Sequence, residues 1–197
     1  MNAPSTMRLF VALHLPEPVQ ADLARAAAPL RVSLPTVRWV RADLLHLTLV
    51  FLGERPAVQV EAIAGVLDTV GQEQAPFSLH VGGNGCFPSV DRPRVLWTGL
   101  SGDVQSLIAL RRAIANALAA AKVIEVDERF SPHLTIGRLR DGTSSAGRAD
   151  AGRRWMNLPP LPAAFIPVEE IHLMHSVLTP GGPHYTTLRS IALARTV

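Results

Sequence analysis

Cysteine is almost missing from this chain: 197 residues hold one, Cys86. No disulfide can form within it, and a lone thiol fits a reducing compartment. Long apolar runs are missing as well. The first, residues 9–15, contains His14 and stops at Pro16, too short and too polar for a membrane span or a signal-peptide core. Residues 1–6 have no basic side chain and read as a loose N-terminal extension. The expectation is a cytoplasmic protein, monomeric and without membrane contact. Lysine is scarce too: of 19 basic residues only Lys122 is not Arg. No Gly-x-x-x-x-Gly-Lys loop occurs, which argues against a phosphate-loop ATP site.

What is present supports a packed fold. The chain is 48% hydrophobic and 18% charged, enough to bury a core and unlike a disordered segment. Its length suits one domain over 1–197, built as one body or two small lobes. Most of the Arg excess reads as codon bias in a chain rich in Ala and Arg. The remainder suits an anionic partner, because a guanidinium pairs bidentately with phosphate.

One short pattern occurs twice. His46-Leu47-Thr48-Leu49 recurs as His133-Leu134-Thr135-Ile136, 87 residues later. Side chains alternate along a strand, so His and Thr two apart share a face while the apolar residues between them point into a core. A single His on a strand is usually structural. Core packing explains Leu47, Leu49, Leu134 and Ile136, but not why a polar pair shares the opposite face in both copies. Two copies in one fold can supply two imidazoles to one cleft, as an acid and a base.

Residues 8–15, 37–40, 44–52, 77–81, 94–100, 130–139, 168–178 and 185–193 read as strands. Helices are predicted after Pro16 and Pro56 and over 104–121, where Leu107, Leu110, Ile114 and Leu118 form one stripe. Residues 82–85 and 179–183 read as turns, and 141–154 as a loop or weak helix. Strands joined by turn-length links argue α+β with antiparallel sheet. The repeat argues a bilobal, pseudo-twofold duplication: two antiparallel sheets facing across a central cleft, with helices outside.

With these flanks the chain resembles the 2H phosphoesterases, and among them the RNA 2′,3′-cyclic phosphodiesterases once described as 2′-5′ RNA ligases. The resemblance rests on the two motifs, on 7–13, on 37–40 before the first motif and Leu52-Gly53 after it. It also covers 85–88, 93–97, Phe130 with Pro132, and 176–185. It implies a bilobal α+β fold, His46 as proton donor, His133 as proton acceptor, and Thr48 and Thr135 on phosphate oxygens. Arg138 matches a family position near the substrate phosphate. Its offset of five from His133 has the wrong parity for a regular strand, so it reaches a cleft only if the strand ends or bends near Gly137. His14 and His175 stand where acidic residues are common in relatives, and Ser131 where a basic one is.

The implied activity is metal-independent hydrolysis of RNA 2′,3′-cyclic phosphate ends to 2′-phosphomonoesters, with reverse 2′-5′ ligation as a second outcome. No cofactor and no metal is expected, since neither motif has Asp, Glu or Cys at ligand spacing. Two rivals stand beside it: a phosphodiesterase for small cyclic nucleotides or 2′-5′ oligoadenylates, and a non-catalytic module that holds RNA ends. Intact His and Thr in both copies disfavour the last. His172 and His175 fall on opposite strand faces, which favours a structural role over metal binding. His80 and His184 read as surface or turn residues. Trp39, Phe130 and Tyr185 are candidates to stack on a base, and Arg92, Arg94, Arg111, Arg112, Arg153 and Arg154 to line an RNA path.

Overall fold

A computed structural model describes residues 5–126, 129–159 and 164–194. Nine strands and four helices are found among them. In chain order they are β1 (Thr6–His14), α1 (Glu17–Ser33), β2 (Val37–Trp39), β3 (His46–Pro56), α2 (Val60–Gln72), β4 (Phe77–Phe87), β5 (Val95–Gly102), α3 (Val104–Ala120), β6 (Leu134–Leu139), α4 (Ser145–Met156), β7 (Phe165–Val168), β8 (Glu170–Thr179) and β9 (Gly182–Ala192). One sheet has the order β3-β1-β8-β9 and the other β2-β6-β5-β4-β7. Every pairing is antiparallel, as expected for α+β.

The duplication is visible in the connectivity. β1-α1-β3 is matched by β5-α3-β6, each a strand pair bridged by a helix. A later strand of each unit crosses to the other sheet: β4 pairs with β5, and β8, which follows β7, pairs with β1. Each lobe is therefore completed by a strand from the other half of the chain. The main apolar core runs through both sheets and all four helices. The predicted stripe on α3, Leu107, Leu110, Ile114 and Leu118, is fully buried. Burying each such Leu or Ile contributes about 1.5–3 kcal/mol. α2 and α3 cover the first sheet, and α4 packs on β4.

Three local expectations need correction. Residues 82–85 are not a hairpin turn, because β4 runs through them. The register slips by one residue between Val81 and Asn84, a bulge. The Thr98 hydroxyl donates to the Gly82 carbonyl at 3.1 Å and holds that bulge. Residues 145–156 form a full helix, since Ser144 caps it through the Gly147 N–H at 3.1 Å and Trp155 is buried. The strand predicted over 168–178 is two strands, one in each sheet, divided at Glu169. His80 and His184 lie on strands β4 and β9, and His184 is exposed, in keeping with a surface residue. Of the expected N-terminal extension, residues 1–4 are outside the described residues, and Thr6 opens β1 opposite Pro56.

Candidate active site

The inner faces of the sheets follow from strand parity. On β1, Leu9, Val11 and Leu13 enter the main core, so Arg8, Phe10, Ala12 and His14 face the other way. Phe10, Ala12 and Met174 form a second small apolar cluster there, with Tyr185 packed against it. β3 and β9 are the opposite edges of this four-stranded sheet, nominally about 14 Å apart. Yet His46 on β3 lies 5.2 Å from Tyr185 on β9, and Phe10 is 5.1 Å from His46 and 5.2 Å from Tyr185 (ring centroids). The sheet is cupped, and His46 sits inside the cup.

Both motif histidines are anchored in the same way. The His46 Nδ1–H donates to the Leu44 carbonyl at 2.8 Å, and the His133 Nδ1–H donates to the Ser131 carbonyl at 2.7 Å. A carbonyl only accepts, so each bond fixes the proton on Nδ1 and leaves Nε2 for chemistry. His46 Nε2 is 3.0 Å from the Thr48 hydroxyl. His133 rests edge-on against Phe87 at 4.9 Å and near Trp97 at 6.2 Å. Trp97 in turn lies over Gly85, where any Cβ would overlap its ring.

The two copies meet across the cleft. β3 packs against β6, and His46 feels the charge of both His133 and Arg138. Burial pushes the His46 pKa below its ordinary value of 6.5. The Leu44 carbonyl opposes that shift, and His14, Arg138 and His133 reinforce it. His14 sits opposite His46 in the β1–β3 register.

Arg138 reaches this cleft through a bulge. Leu96 pairs with Gly137 and Trp97 with Thr135, so Ile136 is the extra residue. That insertion resets the alternation: Thr135 and Arg138 come to one face while Leu134, Ile136 and Leu139 stay buried. β3 has the same device. Val11 pairs with Val50 and Ala12 with Thr48, leaving Leu49 extra. Phe51 thereby joins His46 and Thr48 on the cleft face, 67% exposed. It occupies the offset from His46 that Arg138 occupies from His133.

Of the aromatic candidates, Tyr185 is in the cleft. Trp39 packs under Arg31 and beside Trp155, and Phe130 lies beneath Arg111. Sequence reasoning missed Phe10, Phe51, Phe87 and Trp97. Parity marks Phe10 as facing opposite to the core residues of β1, but the bulge that turns Phe51 inward has no local signal. His172 is 3% exposed and stacks on His14 at 3.8 Å, while His175 lies on the other face of β8. Among the described residues, no three His, Cys, Asp or Glu cluster as metal ligands would.

A family model described as LigT-like phosphoesterase matches residues 13–97 and again residues 99–185. The chain belongs to the LigT-like phosphoesterase family. Each matched segment carries one His-x-Thr motif. An RNA 2′,3′-cyclic phosphodiesterase of Thermus thermophilus is 33% identical over 193 residues, covering 95% of this chain and 90% of that one. The Escherichia coli protein of the same description is 28% identical, covering 95% and 97%. A Thermus thermophilus crystal structure superposes with a TM-score of 0.78 at 30% identity, covering 95% and 98% of the two chains. Escherichia coli LigT complexed with 3′-AMP gives 0.77 at 26% identity, covering 96% and 99%. The two successive matches agree with the twofold connectivity.

Proposed function

We propose that this protein hydrolyses RNA 2′,3′-cyclic phosphate ends to 2′-phosphomonoesters, with two histidines as acid and base. The supporting observation is the matched anchoring of His46 and His133. Each Nδ1 is tied to a backbone carbonyl, and each Nε2 is left for a cleft that Arg138 also charges. The chain's relatives are RNA 2′,3′-cyclic phosphodiesterases along nearly its whole length.

In this reading the cyclic phosphate sits between the two imidazoles. His133 Nε2 accepts a proton from water as the water oxygen bonds to phosphorus. The bond from phosphorus to the 3′ oxygen breaks, and protonated His46 Nε2 gives its proton to that oxygen. The product carries a 2′-phosphate. The Thr48 and Thr135 hydroxyls and Arg138 donate to the non-bridging oxygens as charge builds in the transition state. Both proton transfers are handled by imidazoles, so the scheme needs no metal. With a 5′-hydroxyl in place of water, the same step forms a 2′-5′ linkage. His46 is biased toward its neutral form in the free cleft, and the negative charge of a bound phosphate counters that bias.

Cys86 is buried, and burial pushes its thiol up to about 11, an unreactive state that fits the proposed cytoplasmic location. No helix among the described residues is long and apolar enough to cross a membrane.

The test is incubation with EDTA and an oligoribonucleotide ending in a 2′,3′-cyclic phosphate. The expected product is a 2′-phosphate. Dependence on added metal, or a 3′-phosphate product, overturns the mechanism. Binding without turnover points to an end-binding module instead.

A further inference from the structure

Two further imidazoles stand at the His46 end of the cleft, and the acid–base scheme uses neither. His14 is the residue opposite His46 in the β1–β3 register, and its charge acts on that ring. His184 lies on β9, next to Tyr185. Together with His46 they line a cavity of about 340 Å³.

His14 is held as a rigid group, not as a loose side chain at a strand end. Its ring stacks on His172, with centroids 3.8 Å and planes 12° apart. Ala12, opposite His172 in the β1–β8 register, has too little bulk to keep the two rings apart. His172 is itself locked at both nitrogens. Its Nε2 faces the Glu170 carboxylate at 3.4 Å, and its Nδ1 is 3.1 Å from the Ser190 hydroxyl. A carboxylate only accepts, so the proton of this neutral ring is on Nε2 and the Ser190 hydroxyl donates to Nδ1. The plain reading is that His14 merely covers a buried ring. That leaves its own nitrogens unexplained. Among the described residues the imidazole hydrogen bonds are those of His46, His133 and His172, and neither His14 nor His184 has one.

The charge balance of the cavity suits an anion. One carboxylate lines it, Asp43, and Arg41 clamps both of its oxygens at 3.0 and 2.7 Å. Glu170 is not part of the lining. Burial lowers the His14 pKa, and the Glu170 carboxylate opposes that shift. A phosphate in the cavity adds to the opposing side and favours the imidazolium.

The reaction geometry says which anion. In the scheme above water attacks opposite the departing 3′ oxygen, and His46 protonates that oxygen. The ribose that carries the 3′ oxygen therefore lies on the His46 side of phosphorus, and its 5′ oxygen lies there with it. We propose that His14 and His184 form a second phosphate subsite, which takes the phosphate carried on the 5′ oxygen of the terminal nucleoside. This rests on the phosphodiesterase reading and adds a substrate class to it: cyclic ends that bear a 5′-phosphate, as monoester or as diester.

The experiment measures kcat/KM for three substrates: adenosine 2′,3′-cyclic phosphate, the same nucleotide with a 5′-phosphate, and a diadenylate ending in a 2′,3′-cyclic phosphate. The wild type favours the 5′-phosphorylated mononucleotide over the unphosphorylated one by roughly tenfold, the scale of one charge-assisted hydrogen bond. His14→Ala and His184→Ala each reduce that ratio about three- to fivefold, and His14→Arg, which keeps a cation there, preserves it. An effect of His14 exerted only through His46 slows both substrates alike and leaves the ratio unmoved. A gain for the diadenylate as well assigns the subsite to an RNA chain, and a gain confined to the monoester assigns it to small nucleotides. A wild-type ratio near one for both phosphorylated substrates, or variants that slow all three equally, overturns the subsite. Failure of the wild type to hydrolyse any of the three overturns the phosphodiesterase reading instead.

Discussion

His46 is enclosed by Phe10 and Tyr185, meets Thr48 through Nε2, and has its pKa held down by burial. His133 keeps the equivalent backbone bond but rests on Phe87 and Trp97 and forms no hydrogen bond with Thr135. The repeated unit therefore conserves what orients an imidazole, the carbonyl two residues back, and varies what surrounds it. One repeated unit thus has two environments, which is what a reaction with one donor and one acceptor requires. The same contrast runs along the strands: both are bulged three residues past the histidine, yet one bulge delivers Phe51 and the other Arg138.

The hardest test of that division of labour is to remove each ring. His46→Ala and His133→Ala should each lower kcat on cyclic-ended RNA by on the order of 10²–10⁴, measured under single-turnover conditions. Full activity in either variant ends the two-histidine scheme. Next in size is Arg138→Ala, expected to lower kcat/KM roughly 100-fold if the guanidinium meets developing phosphate charge. The same change removes a cation beside His46. In the free wild-type enzyme His46, the proposed donor, is protonated only below its lowered pKa, so the His46-controlled limb of the kcat/KM profile is expected to fall as pH rises through a value under 6.5. Arg138→Ala should move that limb upward. An unmoved limb would separate Arg138 from His46.

The threonines should differ more subtly. Thr48→Val and Thr135→Val each remove a proposed phosphate donor, with an expected loss of about tenfold. Only Thr48→Val should also shift the His46 limb, because only Thr48 bonds its imidazole. Equal pH profiles for the two variants would rule out that asymmetry.

The last expected effect bears on stability and not on turnover, at the His46 end of the cleft. His172 is buried against His14, and its pKa is pushed down to about 4 by burial and by that neighbour. The unfolded chain takes up a proton near 6.5 and the folded one does not. Stability is thus fully present above pH 6.5 and declines as pH falls toward 4, by about 3 kcal/mol at the limit. Urea unfolding at stepped pH should show this slope, and His172→Gln should flatten it.

Much of this was legible from the chain. The inward Leu and Ile of both motifs, the α3 stripe and the antiparallel α+β class all follow from periodicity, which is local. Gly82-Gly83-Asn84-Gly85 misled because glycine marks a turn and a bulge equally well. Its meaning came from Thr98 and Trp97, residues on another strand. The helix at 145–156 was faint because its small and charged residues carry little apolar signal. Its stability comes from a Ser144 cap and from the burial of Trp155.

By itself, then, the sequence determined that two His-x-Thr units would each put a ring and a hydroxyl on one face, since alternation along a strand needs no partner. Tertiary structure decided the rest: which strands crossed between the sheets, where each motif strand took an extra residue, and that Phe51 and Arg138 turned inward. Those outcomes depend on cross-strand registers between segments far apart in the chain, and a register exists only once both strands are in place.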